Sequence, residues 1–501
     1  MTSTTHNISA EPEPASVSNA MGNTQEDIEL SDSANAQNAT KLDDPYLVAF
    51  ESPFDPTNPK DWDRVKKWTV TDVLSATGFN RIMVSTIMAP AITTIAAELH
   101  MSSAESVMAL SIYLLATAFG PLVIGPLSEV WGRKPILHAS NIWFLIWNVV
   151  CGFAKTKGTL IAARFLAGFG ASAIYALAGG PIIGGFMAER TTWRWMFWST
   201  SIFQAVMIVA SFMAFHETYA PLILKRKAAK LRKETGDQRY VTAAERLEGG
   251  RPLPISRIVG RSLARPLRLL AFHPIIQYLA FLSAFQYGIL YIVLSTFSDL
   301  WVKQYHERID ISGLHYIALA LGEILGSQVT GPSMDGTFKY LRDRANGEER
   351  PEWHVPMMVP GALLGPIGLL CYGWAAQARA HWAVVDLGGV LFAFGGQIAG
   401  QPMQAYIIDS YPEYASSATA ASQFVRSVTA FAFPLFAPKM YEVLGYGWGN
   451  TTIACIGLAI GVPAPLFLWY YGRRLRARAY AKTKSAVWSG KCASLALAVA
   501  V

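Results

Sequence analysis

From about residue 69 onward, apolar residues run in blocks of roughly twenty, separated by short loops carrying charge, glycine or proline. About twenty residues, each rising 1.5 Å, cross the ~30 Å hydrocarbon layer as a helix. The blocks predict spans at about 69–97, 104–126, 136–154, 159–188, 194–215, 273–297, 311–331, 356–376, 383–407, 417–438 and 449–471, eleven in all. The fourth is unusually long and is broken by Gly179-Gly180-Pro181. The fold class expected is all-α, a polytopic membrane protein.

Composition narrows the function classes. Of 501 residues, 52% are hydrophobic and 15% charged, against about 25% charged in soluble domains. An ordinary soluble enzyme is excluded, and so is a nucleic-acid binder, despite the net charge of +7. Cys151, Cys371, Cys455 and Cys492 show no metal-type spacing and no reason to pair. No HExxH pair or GxSxG elbow occurs, and the nine histidines form no ligand cluster. Enzyme chemistry, a cofactor and a metal are therefore not expected.

Charge is uneven along the chain. Residues 1–60 hold ten acids against two bases, Lys41 and Lys60, and residues 1–54 are expected to form a disordered cytoplasmic tail. A first helical bundle is expected over 55–221, a basic cytoplasmic linker over 222–272, a second bundle over 273–472 and a cytoplasmic tail over 473–501. Thirteen bases against four acids lie between Lys225 and Arg268, which puts that loop on the cytoplasmic side. The loop with Arg133 and Lys134, the loop with Lys339 to Arg350, and the tail with Arg473, Arg474, Arg476 and Arg478 belong on the same side.

The second half then alternates correctly, but the first half does not close. One crossing is missing, because 159–188 is too short for two full passes. Either this stretch is bent or re-entrant, or the chain lacks a piece its topology requires.

Gly125-Pro126-Leu127-Ser128-Glu129-Val130-Trp131-Gly132-Arg133-Lys134 resembles the loop between the second and third helices of the major facilitator superfamily. A tight turn there sets Glu129 against helix ends and cations, in a contact that can form in one conformation and break in another. Arg164-Phe165-Leu166-Ala167-Gly168-Phe169-Gly170 is similar to the family's fourth-helix motif. Gly180-Pro181-Ile182-Ile183-Gly184-Gly185 looks like the end of the fifth-helix motif of the drug:proton antiporter branch, where small residues let helices approach closely.

The lead-in Asp55-Pro56-Thr57-Asn58-Pro59, together with Gly78-Phe79-Asn80-Arg81, Glu217-Thr218-Tyr219-Ala220-Pro221, Gly322-Glu323 and Arg350-Pro351-Glu352, resembles the fungal multidrug and polyamine efflux subfamily. The resemblance covers about residues 45–480. It implies a major facilitator fold of two pseudo-symmetric helical bundles with twelve spans, against the eleven counted. About 30 residues are missing relative to the family near 178–181, where the topology count also fails.

Transporters of this class bind substrate near the midplane, so polar groups inside the spans are the site candidates. Asn80 and Arg81 stand in the first span and face either the cavity or the headgroups. Gln286, Tyr287, Gln401 and Gln404 have the chemistry to hold an amphipathic substrate, or to join helices. Glu323 lies near the centre of its span, where an apolar setting lets a carboxyl exchange a proton near neutral pH, or else it is a paired structural acid. Arg164 is either part of proton coupling or snorkels to the surface. Asp409 and Arg426 are expected to pair as a gate. Trp301, Trp382, Trp448 and Trp469 fit an interfacial belt. Asn450-Thr451-Thr452 is a glycosylation sequon in an expected extracellular loop, whereas Asn7 and Asn38 head sequons on the cytoplasmic side.

The function expected is export of hydrophobic drugs or fungal secondary metabolites by alternating access, coupled to protons. The alternatives are a polyamine:proton antiporter, a transporter-like sensor, and a truncated, non-transporting product. The partners expected are a small amphipathic substrate, protons and the lipid bilayer, with no nucleic acid. A monomer in the plasma membrane is expected, with the vacuolar membrane as the alternative.

Overall fold

The computed structural model describes residues 46–50, 55–171, 179–247, 255–411 and 415–477. Most of the expected disordered tail, Asn7, Asn38, Cys492 and the end of the basic tail from Arg478 lie outside the described residues. Contacts divide the chain into two units.

The smaller unit contains residues from the expected tail and linker. Within it, Leu47–Val48 pairs in parallel with Val241–Thr242, so these two segments are not merely tail and linker. The helix Ala220–Thr235 belongs to the same unit, and Lys227 Nζ lies 3.0 Å from the Asp55 carboxylate.

The larger unit is a helical bundle. Its first half consists of α1 (Arg64–Thr86), α2 (Ser103–Trp131), α3 (Arg133–Gly152), α4 (Lys157–Ala171), α5 (Gly179–Arg190) and α6 (Arg194–Ala214). An amphipathic helix, α7 (Ile255–Phe272), leads into the second half: α8 (Pro274–Asp299), α9 (Tyr316–Arg344), α10 (Met358–Gln377), α11 (Trp382–Ser410) and α12 (Ala415–Gly461), continued by a helix over 463–477. Among the described residues nine helix runs are long and apolar enough to cross a membrane. The last, Ser417–Ala477, has 61 residues and turns back at Gly445, whose φ of 70° suits glycine.

The region where the expected topology of the first half fails to close contains α4 and α5. At Lys157 the start of α4 meets Glu105 at the start of α2, 2.6 Å away. Just beyond α5, Trp193 Nε1 donates to Glu98 at 2.6 Å and Arg194 reaches the same carboxylate at 2.7 Å. Both arms therefore open on the face opposite the basic loops. Their described parts hold 15 and 12 residues, about 22 and 18 Å of helix, and residues 172–178 between them lie outside the described residues. The stretch expected as one broken span, 159–188, thus contains two described helices whose outer ends share one face, and α6 follows from that face.

Close backbone approach fixes α5. A Cβ on Gly184 would lie 2.1 Å from the Ile87 carbonyl oxygen, and one on Gly185 would lie 3.0 Å from the Gly313 Cα. The second contact joins the first half to the second. So do the packing of α2 on α12 and the Arg308–Glu189 ion pair at 3.2 Å.

Candidate functional site

In the second half, α10 packs on α11, α8 on α12 and α9 on α11, and these helices enclose a cavity of about 320 Å³. Apolar side chains such as Leu282, Phe392, Met403 and Ile453 form much of its wall. Gln286, Tyr287, Glu323, Gln401, Gln404 and Arg426 also line it. Six residues singled out in the sequence thus converge on one space.

The glutamines are held in place through their amide N–H groups. Gln286 Nε2 donates to the Gly396 carbonyl at 2.6 Å, Gln401 Nε2 to Ser327 Oγ at 2.8 Å, and Gln404 Nε2 to Thr419 Oγ1 at 3.1 Å. Each side chain carries an amide oxygen as an acceptor besides. Glu323 has no ion-pair or hydrogen-bond partner among the described residues. Arg426 stands 4.1 Å over the Tyr287 ring, and the buried Tyr287 hydroxyl lacks a partner among the described residues.

The expected Asp409–Arg426 pair does not form. Asp409 instead meets His354 Nε2 at 2.8 Å near the basic face, because the register of α12 turns Arg426 into the cavity.

Asn80, Arg81 and Arg164 lie in the interior of the first half. Asn80 Nδ2 donates to the Thr200 carbonyl at 3.1 Å and to Gln204 Oε1 at 3.0 Å. Arg81 bonds Ser140 Oγ at 3.0 Å and also Asn141. Arg164 does not snorkel: it is fully buried and donates to the carbonyls of Val84, Ser85, Ala109 and Leu110.

At the loop motif, Gly132 takes φ 97° and lets α3 start immediately after α2. The Arg133 and Lys134 backbone N–H groups donate to the two Glu217 carboxylate oxygens at 3.0 and 3.2 Å, a carboxylate cap on a helix N-terminus. Gly125 has open space around it. The Glu129 side chain lies outside the described residues, and so does that of Pro181, which follows Gly180 in the first turn of α5.

Two further expectations change. Asn450 is fully buried within α12: its Oδ1 accepts from the Tyr441 hydroxyl at 2.9 Å and its Nδ2 donates to the Tyr446 carbonyl at 2.9 Å. The loop placement is therefore corrected, and no room is left for a glycan. Trp301 is buried rather than interfacial, its ring stacked 3.6 Å from that of His315. His315 bridges Asp386 at 2.7 Å and Glu307 at 2.9 Å, a cluster the sequence reading missed because both acids adjoin loops.

Membrane-crossing helices in two halves, with a ligand-sized cavity walled by the second half, are the architecture expected of a secondary transporter. The chain belongs to the major facilitator superfamily, whose sequence profile matches residues 74–179 and 175–432. It is 51% identical over 421 residues to the probable efflux pump mfs2 of Aspergillus flavus, covering 78% of this chain and 99% of that protein. It is 38% identical over 464 residues to the efflux pump vrtL of Penicillium aethiopicum, covering 87% of this chain and 91% of that protein. The first alignment spans 421 positions but only about 391 residues of this chain, 78% of 501, so the relative holds about thirty residues without a counterpart here. Among solved structures, a D-xylose–proton symporter shares the fold at TM-score 0.57 and 15% identity, over 80% of this chain and 97% of that one.

Proposed function

We propose that the chain exports a small amphipathic compound, a hydrophobic drug or fungal secondary metabolite, in exchange for protons by alternating access. The observation that carries this reading is Glu323, an acid without a partner among the described residues in the wall of a largely apolar cavity. A carboxyl so placed can be held in turn by a proton and by a hydrogen-bond donor on the substrate, which is the requirement for exchange. The relatives named as efflux pumps support the direction of transport. A polyamine needs several acids. Here one acid shares the lining with Arg426, which favours a neutral or weakly acidic compound. The plasma membrane is the proposed location, ahead of the vacuolar membrane, and the working unit is a monomer.

The test is dye flux in liposomes carrying the full chain. A pH gradient should drive concentrative movement of a neutral amphipathic dye such as Nile red, and Glu323→Gln should abolish the gradient-driven part. Flux that ignores the gradient, or that survives Glu323→Gln unchanged, overturns the reading.

A second reading is a product that binds cargo but transports poorly. It is supported by profile matches that meet at 175–179 and by the thirty extra residues of the relative. Inserting the corresponding segment of that relative between Ala171 and Gly179 should then raise flux. Normal flux by the chain as it stands overturns this second reading.

A further inference from the structure

We infer that Arg426 makes the cavity prefer amphipathic compounds that carry an acidic group, with the carboxylate of the compound seated on its guanidinium. This rests on the cavity being the transport site, and it names the chemistry that the site selects. Arg426 stands eleven residues, about 16 Å of rise, into α12. A cation so deep in a span is costly unless it meets a counter-charge or a watery cavity.

The fold supplies acceptors to other arginines inside the bundle. Arg164 donates to four backbone carbonyls, and Arg476 holds both Glu352 carboxylate oxygens at 2.6 Å. The Arg426 guanidinium has no ion-pair or hydrogen-bond partner among the described residues. It stands over the Tyr287 ring in the cavity wall, and a ring face attracts a cation but carries no counter-charge. Glu323 lines the same cavity without pairing with it. Gln286, Gln401 and Gln404 already use amide N–H groups on Gly396, Ser327 and Thr419, so Arg426 is the charged donor that the lining leaves open. Its planar fork matches a carboxylate, in bonds about twice as strong as neutral ones. A neutral carbonyl there would leave the charge uncompensated. The apolar body of the compound then meets Leu282, Phe392, Met403 and Ile453.

The test is calorimetric titration of the purified full chain in detergent, at neutral pH and against protein-free micelles, with the aryl carboxylic acid naproxen and with its methyl ester. The acid should bind about tenfold to a hundredfold more tightly than the ester. Arg426→Gln should bring the two affinities together by weakening the acid, and Arg426→Lys, which keeps the charge, should keep a several-fold preference. A thermal melt of each variant separates lost binding from lost folding. Equilibrium binding needs no pH gradient, so failure of coupled flux leaves this preference standing, and equal affinities leave the flux reading standing. Equal affinities, binding of neither compound, or a preference that survives Arg426→Gln overturns the proposal. So does a matching loss of acid and ester in a stable Arg426→Gln variant, which would make the residue structural. Displacement of the acid by chloride at equal concentration also overturns it, by marking a site for inorganic anions.

Discussion

The Arg164 guanidinium donates through Nη1 to the Val84 carbonyl at 2.7 Å, across the interface of α4 and α1. Its other hydrogens reach the carbonyls of Ser85, Ala109 and Leu110, so one side chain ties three helices. Such a bonded cation favours a fixed clamp over a proton carrier.

Arg164→Gln should lower stability by about 2–4 kcal/mol, since several carbonyls lose their donor in an apolar setting. Thermal unfolding of the purified chain in detergent measures this. A stable variant with a shifted pH profile of transport would instead make Arg164 a coupling residue.

Gly184→Ala should cost about 1–3 kcal/mol by forcing α5 away from α1. Gly125→Ala is its control. No atom lies within 4 Å of a Cβ there, and alanine in a helix interior should be neutral or stabilising by up to ~1 kcal/mol. The melting curve of Gly184→Ala should fall while that of Gly125→Ala holds or rises, and a Gly184→Ala curve that does not fall would contradict the close packing there.

Asn450 should carry no glycan, so treatment with an amide-linked glycosidase should leave the electrophoretic mobility unchanged. Asn450→Ala should destabilise by about 1–3 kcal/mol, because the buried Tyr441 hydroxyl loses its acceptor. A mobility shift on treatment would refute the buried placement.

Much of the cavity was legible because a polar side chain inside an apolar block is conspicuous. Gln286, Glu323, Gln401 and Gln404 were visible for that reason. Which face each residue takes was not legible, since spans apolar all round carry no amphipathic phase to orient them. Asn80 and Arg81 therefore looked like cavity candidates although they bond inside the first half, and Asp409 was matched with Arg426 although His354 holds it. The failed count of crossings pointed to the stretch that contains α4 and α5, because chain length against bilayer thickness is a strict constraint. The His315 cluster and the Glu217 cap join residues far apart in sequence, and no local spacing announces them.

Among the described residues, the walls of the cavity come from the second half only. Selection on what is carried and selection on how the helices move then fall on different stretches of one gene. Substitutions between residues 282 and 465 can retune cargo preference while the first half keeps the helix contacts on which folding depends. Divergence in substrate range among related chains would leave its trace as an uneven substitution rate, faster around the cavity lining than around Arg164 or Gly184.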